Sequence, residues 1–498
     1  MDLLYRSTRD ETKESFRASK AILQGLAEDG GLFVPEQIPR LATDFKDLAG
    51  RSYQEVAYEV MRLFLTDFSE EELKVCIGKA YDEKFDTAEI APIRKTGGGY
   101  YLELFHGATI AFKDMALSIL PHFMLTAAGK VQEQKDIVIL TATSGDTGKA
   151  ALAGFANVPG TKIIVFYPKD GVSPIQKRQM VTQKGNNTLV VGIDGNFDEA
   201  QTGVKEIFSD EKLKQWLTER EYQFSSANSI NIGRLIPQVV YYVYAYGKLC
   251  ADGELKQGEP LNVVVPTGNF GNILAAFYAK QMGVPLGKLI CASNENKVLY
   301  DFFATGNYDK NRDFVLTSSP SMDILISSNL ERLLFLLTGE NPKQTAQLMQ
   351  DLKTKGRYEL TPEMKAGLAD FYGNYATEEE TAETILRIYK EEGYVLDPHT
   401  AVAACVYEKY KAETGDKTKA LIVSTASPYK FTNSVIAAIA PEKIKDKDDF
   451  VLAKDLEKLS GVNVPEAVLS IKSAALVHTK VCGVKDMKDA VKNWLLKK

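Results

Sequence analysis

The feature that constrains this 498-residue chain most is a series of short apolar runs set between helix-period stretches. Residues 137–140 (Ile-Val-Ile-Leu), 162–167, 189–193, 263–265, 289–291 and 421–423 are dominated by apolar side chains and show no regular polar alternation. A strand with one wet face alternates, whereas a strand covered on both faces reads as an unbroken apolar run. Such runs separated by helical patterns predict an α/β protein with mostly parallel sheet and helices on both faces. Ligands of such sheets gather beyond the carboxyl ends of the strands, and the Gly-, Ser-, Thr- and Asn-rich turns of this chain fall there.

Length predicts two to four domains. Residues 1–95 read as a mostly helical N-terminal domain, with helix-period segments near 16–26, 53–68 and 70–85. A large α/β domain is expected from 96–130 and 215–440, and a small α/β domain from 131–214. Residues 340–396 read as a charged helical insertion: Thr361-Pro362 fits an N-cap and first-turn proline, Thr377 to Glu380 a capping box, and Gly393 a C-terminal stop. The remainder, 441–498, is a C-terminal segment ending in a Lys-rich amphipathic helix.

With a formal net charge of −6, the chain carries no basic signature for nucleic acid or anionic membrane. The expectation is a cytoplasmic protein without membrane or nucleic-acid partners. Five scattered cysteines and four histidines lack metal-ligand spacing, so no metal site is expected. A GxSxG nucleophile elbow is absent.

Four turns and one lysine carry the chemistry. Lys113 heads an apolar segment beside Phe112 and Asp114. A lysine in apolar surroundings loses basicity and becomes a candidate Schiff-base amine; an exposed lysine at a helix start is the ordinary alternative. The turn 266–274 (Pro-Thr-Gly-Asn-Phe-Gly-Asn-Ile-Leu) follows an apolar run and suits a phosphate at a helix N-terminus, or merely connects strand to helix. The turn 143–149 (Thr-Ser-Gly-Asp-Thr-Gly-Lys) ends like a Walker A loop, but Thr143 and Ala150 stand where that motif needs Gly and Ser or Thr. It suits a small carboxylate or phosphate instead. Asn228, Ser229 and Arg234 offer amide, hydroxyl and guanidinium within seven residues, or simply cap the apolar helix that follows. Residues 424–431 place hydroxyls after another apolar run. Two phosphate cradles plus an imine-forming lysine imply a phosphorylated aldehyde cofactor, of which pyridoxal phosphate is the common one.

The stretch 106–114 (His-Gly-Ala-Thr-Ile-Ala-Phe-Lys-Asp) closely resembles the cofactor-lysine motif of the threonine synthase family. The resemblance continues, in order, through 24–35, 142–148, 226–234, 266–271, 322–329 and 425–431, and covers nearly the whole chain. It departs from the pattern at Ala108, where proline is usual, and at Ser427, where some members carry histidine. The resemblance implies fold type II of the pyridoxal-phosphate enzymes, with two open, mostly parallel sheets. It implies that Lys113 holds the cofactor covalently and shuttles substrate protons. It assigns the cofactor phosphate to Gly268, Asn269, Phe270, Gly271 and Asn272, the cofactor 3-hydroxyl to Asp146, and the pyridine nitrogen to Thr425. The substrate's carboxylate and phosphate fall to Thr143, Ser144, Asn228, Ser229 and Arg234. The implied reaction converts O-phospho-L-homoserine and water to L-threonine and phosphate by γ-elimination and β-addition of water, in a monomer or homodimer. A serine or threonine dehydratase and a non-catalytic threonine-synthase-like binder are the rival readings.

Overall fold

The buried runs form two parallel sheets in a computed structural model that describes residues 2–496 apart from Gly97, Ser144, Gly171 and Asp446. The larger sheet has six strands in the order Phe371–Tyr375, Leu286–Ser293, Leu261–Pro266, Ala420–Ser424, Gly99–Glu103 and Ile93–Thr96. Only the last, an edge strand, runs antiparallel to its neighbour. The smaller sheet is wholly parallel, in the order Val481–Gly483, Thr188–Asp194, Thr161–Pro168, Asp136–Ala142 and Tyr222–Ser225. The central strands Leu261–Pro266 and Ala420–Ser424 are buried at every residue, as unbroken apolar runs require.

The helix Ile232–Ala251 runs through the main core, with 17 of its 20 residues buried, so it has no wet face. The N-terminal helices Tyr53–Phe64 and Glu70–Ala80 start at Ser52 and Ser69, each in a capping box with Glu55 or Glu72. Val56, Val60 and Phe64 join the same core as Val239, Val243 and Tyr246, so the N-terminal segment is packed into the body of the molecule. Its strands Tyr5–Ser7 and Phe33–Pro35 pair antiparallel, a small sheet that the helical reading omitted.

The insertion has the expected helices Pro342–Thr354, Pro362–Ala366 and Glu378–Glu392, with Thr361 and Thr377 as caps and Gly393 at φ +68° closing the last. It is not helical throughout. Phe371–Tyr375 (Phe-Tyr-Gly-Asn-Tyr) is a parallel edge strand of the larger sheet, and its glycine and asparagine hide it from a search for apolar runs. Tyr222–Ser225 belongs to the smaller sheet, although 215–440 was assigned to the large unit; four residues with one buried give little signal. Val481–Gly483 adds the far edge of that sheet, and Met487–Leu495 packs Met487, Ala490, Val491 and Leu495 inward. Among the described residues no helix is long and apolar enough to cross a membrane.

Arg332 ties three of these parts together. Fully buried, it donates from Nε to the Phe33 carbonyl (2.9 Å), from Nη2 to the Ile230 carbonyl (2.5 Å) and from Nη1 to Asn329 Oδ1. Burial pushes its guanidinium down to about 10. Arg332→Leu leaves those buried acceptors unpaired, each at about 1–3 kcal/mol. The expected loss is about 3 kcal/mol or more, seen as a lowered urea midpoint with the slope unchanged.

Candidate active site

The strand Gly99–Glu103 delivers the chain into a tight turn, 106–110, ahead of Lys113. A side chain at Gly107 would meet Asp114 Cβ at 2.6 Å, so glycine is required there. Ile110 has φ +53°, a left-handed conformation that a β-branched residue rarely adopts and that costs about 1–3 kcal/mol. Surrounding hydrogen bonds enforce it. Ile110 N–H donates to the Gly107 carbonyl (3.0 Å), and Ser427 N–H donates to the Ile110 carbonyl (3.1 Å). Asp114 accepts from Thr109 N–H (2.8 Å) and Thr109 Oγ1 (2.6 Å). Burial raises the Asp114 carboxyl and the Thr109 bonds oppose that. Asp114 is therefore the clamp of the turn, which explains an aspartate directly after the lysine.

Lys113 Nζ lies 3.1 Å from Ser321 Oγ and 3.6 Å from Asp146 Oδ2. Burial lowers its amine to about 8; the Asp146 carboxylate opposes this, while the Lys430 and Arg234 cations add to it. Asp146 begins the helix Asp146–Phe155, where the positive end of the helix favours a carboxylate. It accepts from Lys430 Nζ (2.9 Å), Gln176 Nε2 (2.8 Å) and Ser321 Oγ (3.0 Å). Burial alone would raise this carboxyl, but Lys430, Lys113 and the hydrogen bonds hold it well below the usual carboxylate range. Gly145, at φ +140°, precedes it because a side chain there would strike Gln176 at 2.5 Å. Thr143 Oγ1 accepts from Gly145 N–H (3.0 Å) and Gly148 N–H (2.9 Å), so its hydroxyl shapes this loop. Ser144 lies outside the described residues.

The second turn follows Leu261–Pro266, and the helix Gly271–Gln281 starts behind Phe270 at φ +66°. A side chain on Gly268 would come within 2.5 Å of the Ser321 carbonyl, which places this turn against the lysine site. Carbonyls of Gly268 and Asn269 accept from Ser327 Oγ (2.7 Å) and Asn329 Nδ2 (3.0 Å). Asn272 Oδ1 accepts from Tyr241 OH (2.7 Å) and Tyr242 OH, while its buried Nδ2 has no partner among the described residues. Gly271 and Asn272 carry first-turn N–H groups, which have no partner within the helix.

Arg234 is buried and donates from Nη1 to the Ala227 carbonyl (2.9 Å), and its Nε has no partner among the described residues. Burial pushes it down to about 10. Asn228 Oδ1 accepts from Thr141 Oγ1 (3.2 Å) at the end of the strand Asp136–Ala142, and Ser229 is half-buried in the same turn. Thr425 is buried, and its carbonyl accepts from Phe112 N–H (2.8 Å), next to Lys113. Ser321, Lys430, Gln176 and His399 complete the surroundings and were not singled out from sequence. Lys430 lies inside the 424–431 stretch, among hydroxyl-bearing residues that mask it in the sequence.

A buried amine of lowered basicity, a glycine turn at a helix start, and two buried N–H donors without partners among the described residues fit a phosphorylated aldehyde well. Among the described residues no group of three His, Cys, Asp or Glu side chains could hold a metal ion. Residues 4–81 match the family described as "Threonine synthase N terminus", 94–426 "Pyridoxal-phosphate dependent enzyme", and 400–481 "Threonine synthase, C-terminal". Threonine synthase of Saccharomyces cerevisiae is 37% identical over 487 residues, covering 92% of this chain and 93% of that protein. The chain belongs to the threonine synthase family of pyridoxal-phosphate-dependent enzymes.

Human threonine synthase-like 1 is 41% identical over 442 residues, or 86% of this chain; the match spans 58% of that longer protein. The crystal structure of pyridoxal-phosphate-bound threonine synthase from Brucella melitensis superposes with a TM-score of 0.86 at 34% identity, covering 99% of this chain and 100% of that one. The two-sheet architecture is thus the fold type II arrangement of the threonine synthase family.

The lowered basicity of Lys113 has a direct consequence in the cofactor-free protein. Only the neutral amine reacts with an acylating reagent, and its fraction rises as pH passes through about 8. Labelling of Lys113, mapped by mass spectrometry, should therefore show its midpoint near 8, against about 10.4 for ordinary lysines.

Proposed function

We propose that this protein is a threonine synthase, converting O-phospho-L-homoserine and water to L-threonine and phosphate. The observation that carries this reading is Arg234, a buried guanidinium whose Nε has no partner among the described residues and whose charge acts on Lys113. An enzyme acting on an uncharged side chain needs no such buried cation for its substrate, which disfavours the dehydratase reading. Retention of Lys113 with its pairing to Asp146 and Ser321 supports catalysis over mere binding.

Gly268, Asn269, Phe270, Gly271 and Asn272 would hold the cofactor phosphate, chiefly through main-chain N–H groups at the helix start. Pyridoxal phosphate, when bound, supplies an aldehyde and a ring that withdraws electrons from the substrate's Cα. Lys113 would take the proton from Cα, give it up again to the bound substrate or to solvent, and with its lone pair restored take the proton from Cβ, a task suited to an amine of lowered basicity. Asp146, ionised between two lysines, would accept from the cofactor 3-hydroxyl. Thr425 would face the ring nitrogen, and a neutral hydroxyl there cannot stabilise a protonated ring as a carboxylate does. Thr143, Ser144, Asn228 and Ser229 would hold the substrate's carboxylate and phosphate alongside Arg234. We take the protein to be cytosolic, a reading that its five free cysteines support. We take the chain to act as a monomer or homodimer, without nucleic-acid or membrane partners.

The test is conversion of O-phospho-L-homoserine with threonine and phosphate formed in equal amounts. A keto acid with ammonia in place of threonine would make it a dehydratase. Arg234→Ala should raise KM by about tenfold or more, the value of a lost charged hydrogen bond, while the cofactor's absorbance is unchanged. Equal damage to both would contradict the substrate-phosphate role.

A further inference from the structure

Ser321 is held in an unusual way. Its main-chain N–H donates to His399 Nε2 (3.2 Å), and the other ring nitrogen, Nδ1, lies 2.8 Å from Asp397 Oδ1. A main-chain N–H can only donate, so Nε2 must present a lone pair and Nδ1 must carry the proton toward Asp397. Asp397 is itself fixed as the N-cap of the helix Pro398–Thr414, where it accepts from His399 N–H (2.9 Å), Thr400 N–H (3.3 Å) and Thr400 Oγ1. Asp397 and His399 are buried, and the imidazole packs against Phe431 at 4.8 Å between ring centres. A helix start thus sets a carboxylate, the carboxylate sets a histidine tautomer, and the histidine sets the turn Pro320–Met322.

The Ser321 side chain continues the series. Its single proton is donated to Asp146 Oδ2 (3.0 Å), and its oxygen accepts from Lys113 Nζ (3.1 Å). Asp146 is an acceptor only, so the serine proton satisfies the carboxylate by pointing at it, and Lys113 Nζ is then the group that donates to the serine oxygen. The direct Lys113 to Asp146 distance of 3.6 Å is beyond good hydrogen-bond range, so the hydroxyl is the closer contact.

We infer that Ser321 is a further catalytic residue, an accept-only hydroxyl that orients the Lys113 amine, and that His399 and Asp397 are its positioning residues. An N–H of Lys113 pointed at Ser321 keeps the nitrogen lone pair off the serine oxygen. It leaves that lone pair free for an incoming carbonyl or substrate proton. No proton is transferred to Asp146, which stays ionised in its pairing with Lys430. The inference rests on the pyridoxal-phosphate reading of this site.

The test follows the rate at which cofactor-free protein captures pyridoxal phosphate, read as the growth of visible absorbance, with a thermal melt as the folding control. Ser321→Ala should slow capture about tenfold or more, the scale of a misdirected reacting group. His399→Leu should slow it similarly, while His399→Gln, which keeps an acceptor for the Ser321 N–H, should stay near wild type. Capture by Ser321→Ala at the wild-type rate overturns the proposal. Equal slowing by His399→Gln and His399→Leu overturns the positioning role. Failure of the wild-type protein to capture the cofactor overturns the cofactor reading and this proposal with it.

Discussion

One buried carboxylate, Asp146, holds the site together. It comes from the end of the smaller sheet, while Lys113, Lys430 and Ser321 come from the body built on the larger one. Burying an isolated carboxylate is prohibitive, and a single lysine partner would barely offset it. Here a helix start, Gln176, Ser321 and two lysines share the task. Removing one partner of such a group costs about 3–5 kcal/mol, because the remainder is left buried and uncompensated. The same pairing therefore spans the two sheets and offsets part of the burial that lowers the basicity of Lys113.

A second constraint lies in the backbone. Ile110 is held at a positive φ, and the group that holds it, Asp114, is adjacent to the reacting lysine. Lys430 donates to the Thr109 carbonyl (2.9 Å) in addition to pairing with Asp146, so it joins the strained turn to the carboxylate. Strain of this kind persists only where neighbours over-determine it. Asp114, Ser427 and Lys430 do so from three directions.

The sheets were legible in the chain because strands covered on both faces need continuous apolar runs, and Leu261–Pro266 and Ala420–Ser424 are buried throughout. Strands with few apolar residues were not. Phe371–Tyr375 is interrupted by Gly373 and Asn374, and Tyr222–Ser225 is too short. The glycine turns and Lys113 could be found because each sits at a strand end, in a local pattern with its own chemistry. Ser321, His399 and Gln176 could not, because their roles depend on contacts 30 to 208 residues away in sequence. Asp114 shows in the chain only as a neighbour of the lysine, and its clamp on Thr109 needs the folded turn.

The central claim is that the Asp146 charge holds up the basicity of the Lys113 amine against its burial. The most direct measurement is the labelling midpoint of Lys113 in cofactor-free Asp146→Asn. With the carboxylate gone, burial and the Lys430 and Arg234 cations act unopposed on the amine. The midpoint should fall below the wild-type value of about 8. A midpoint that stays put or rises in a folded variant would contradict the account.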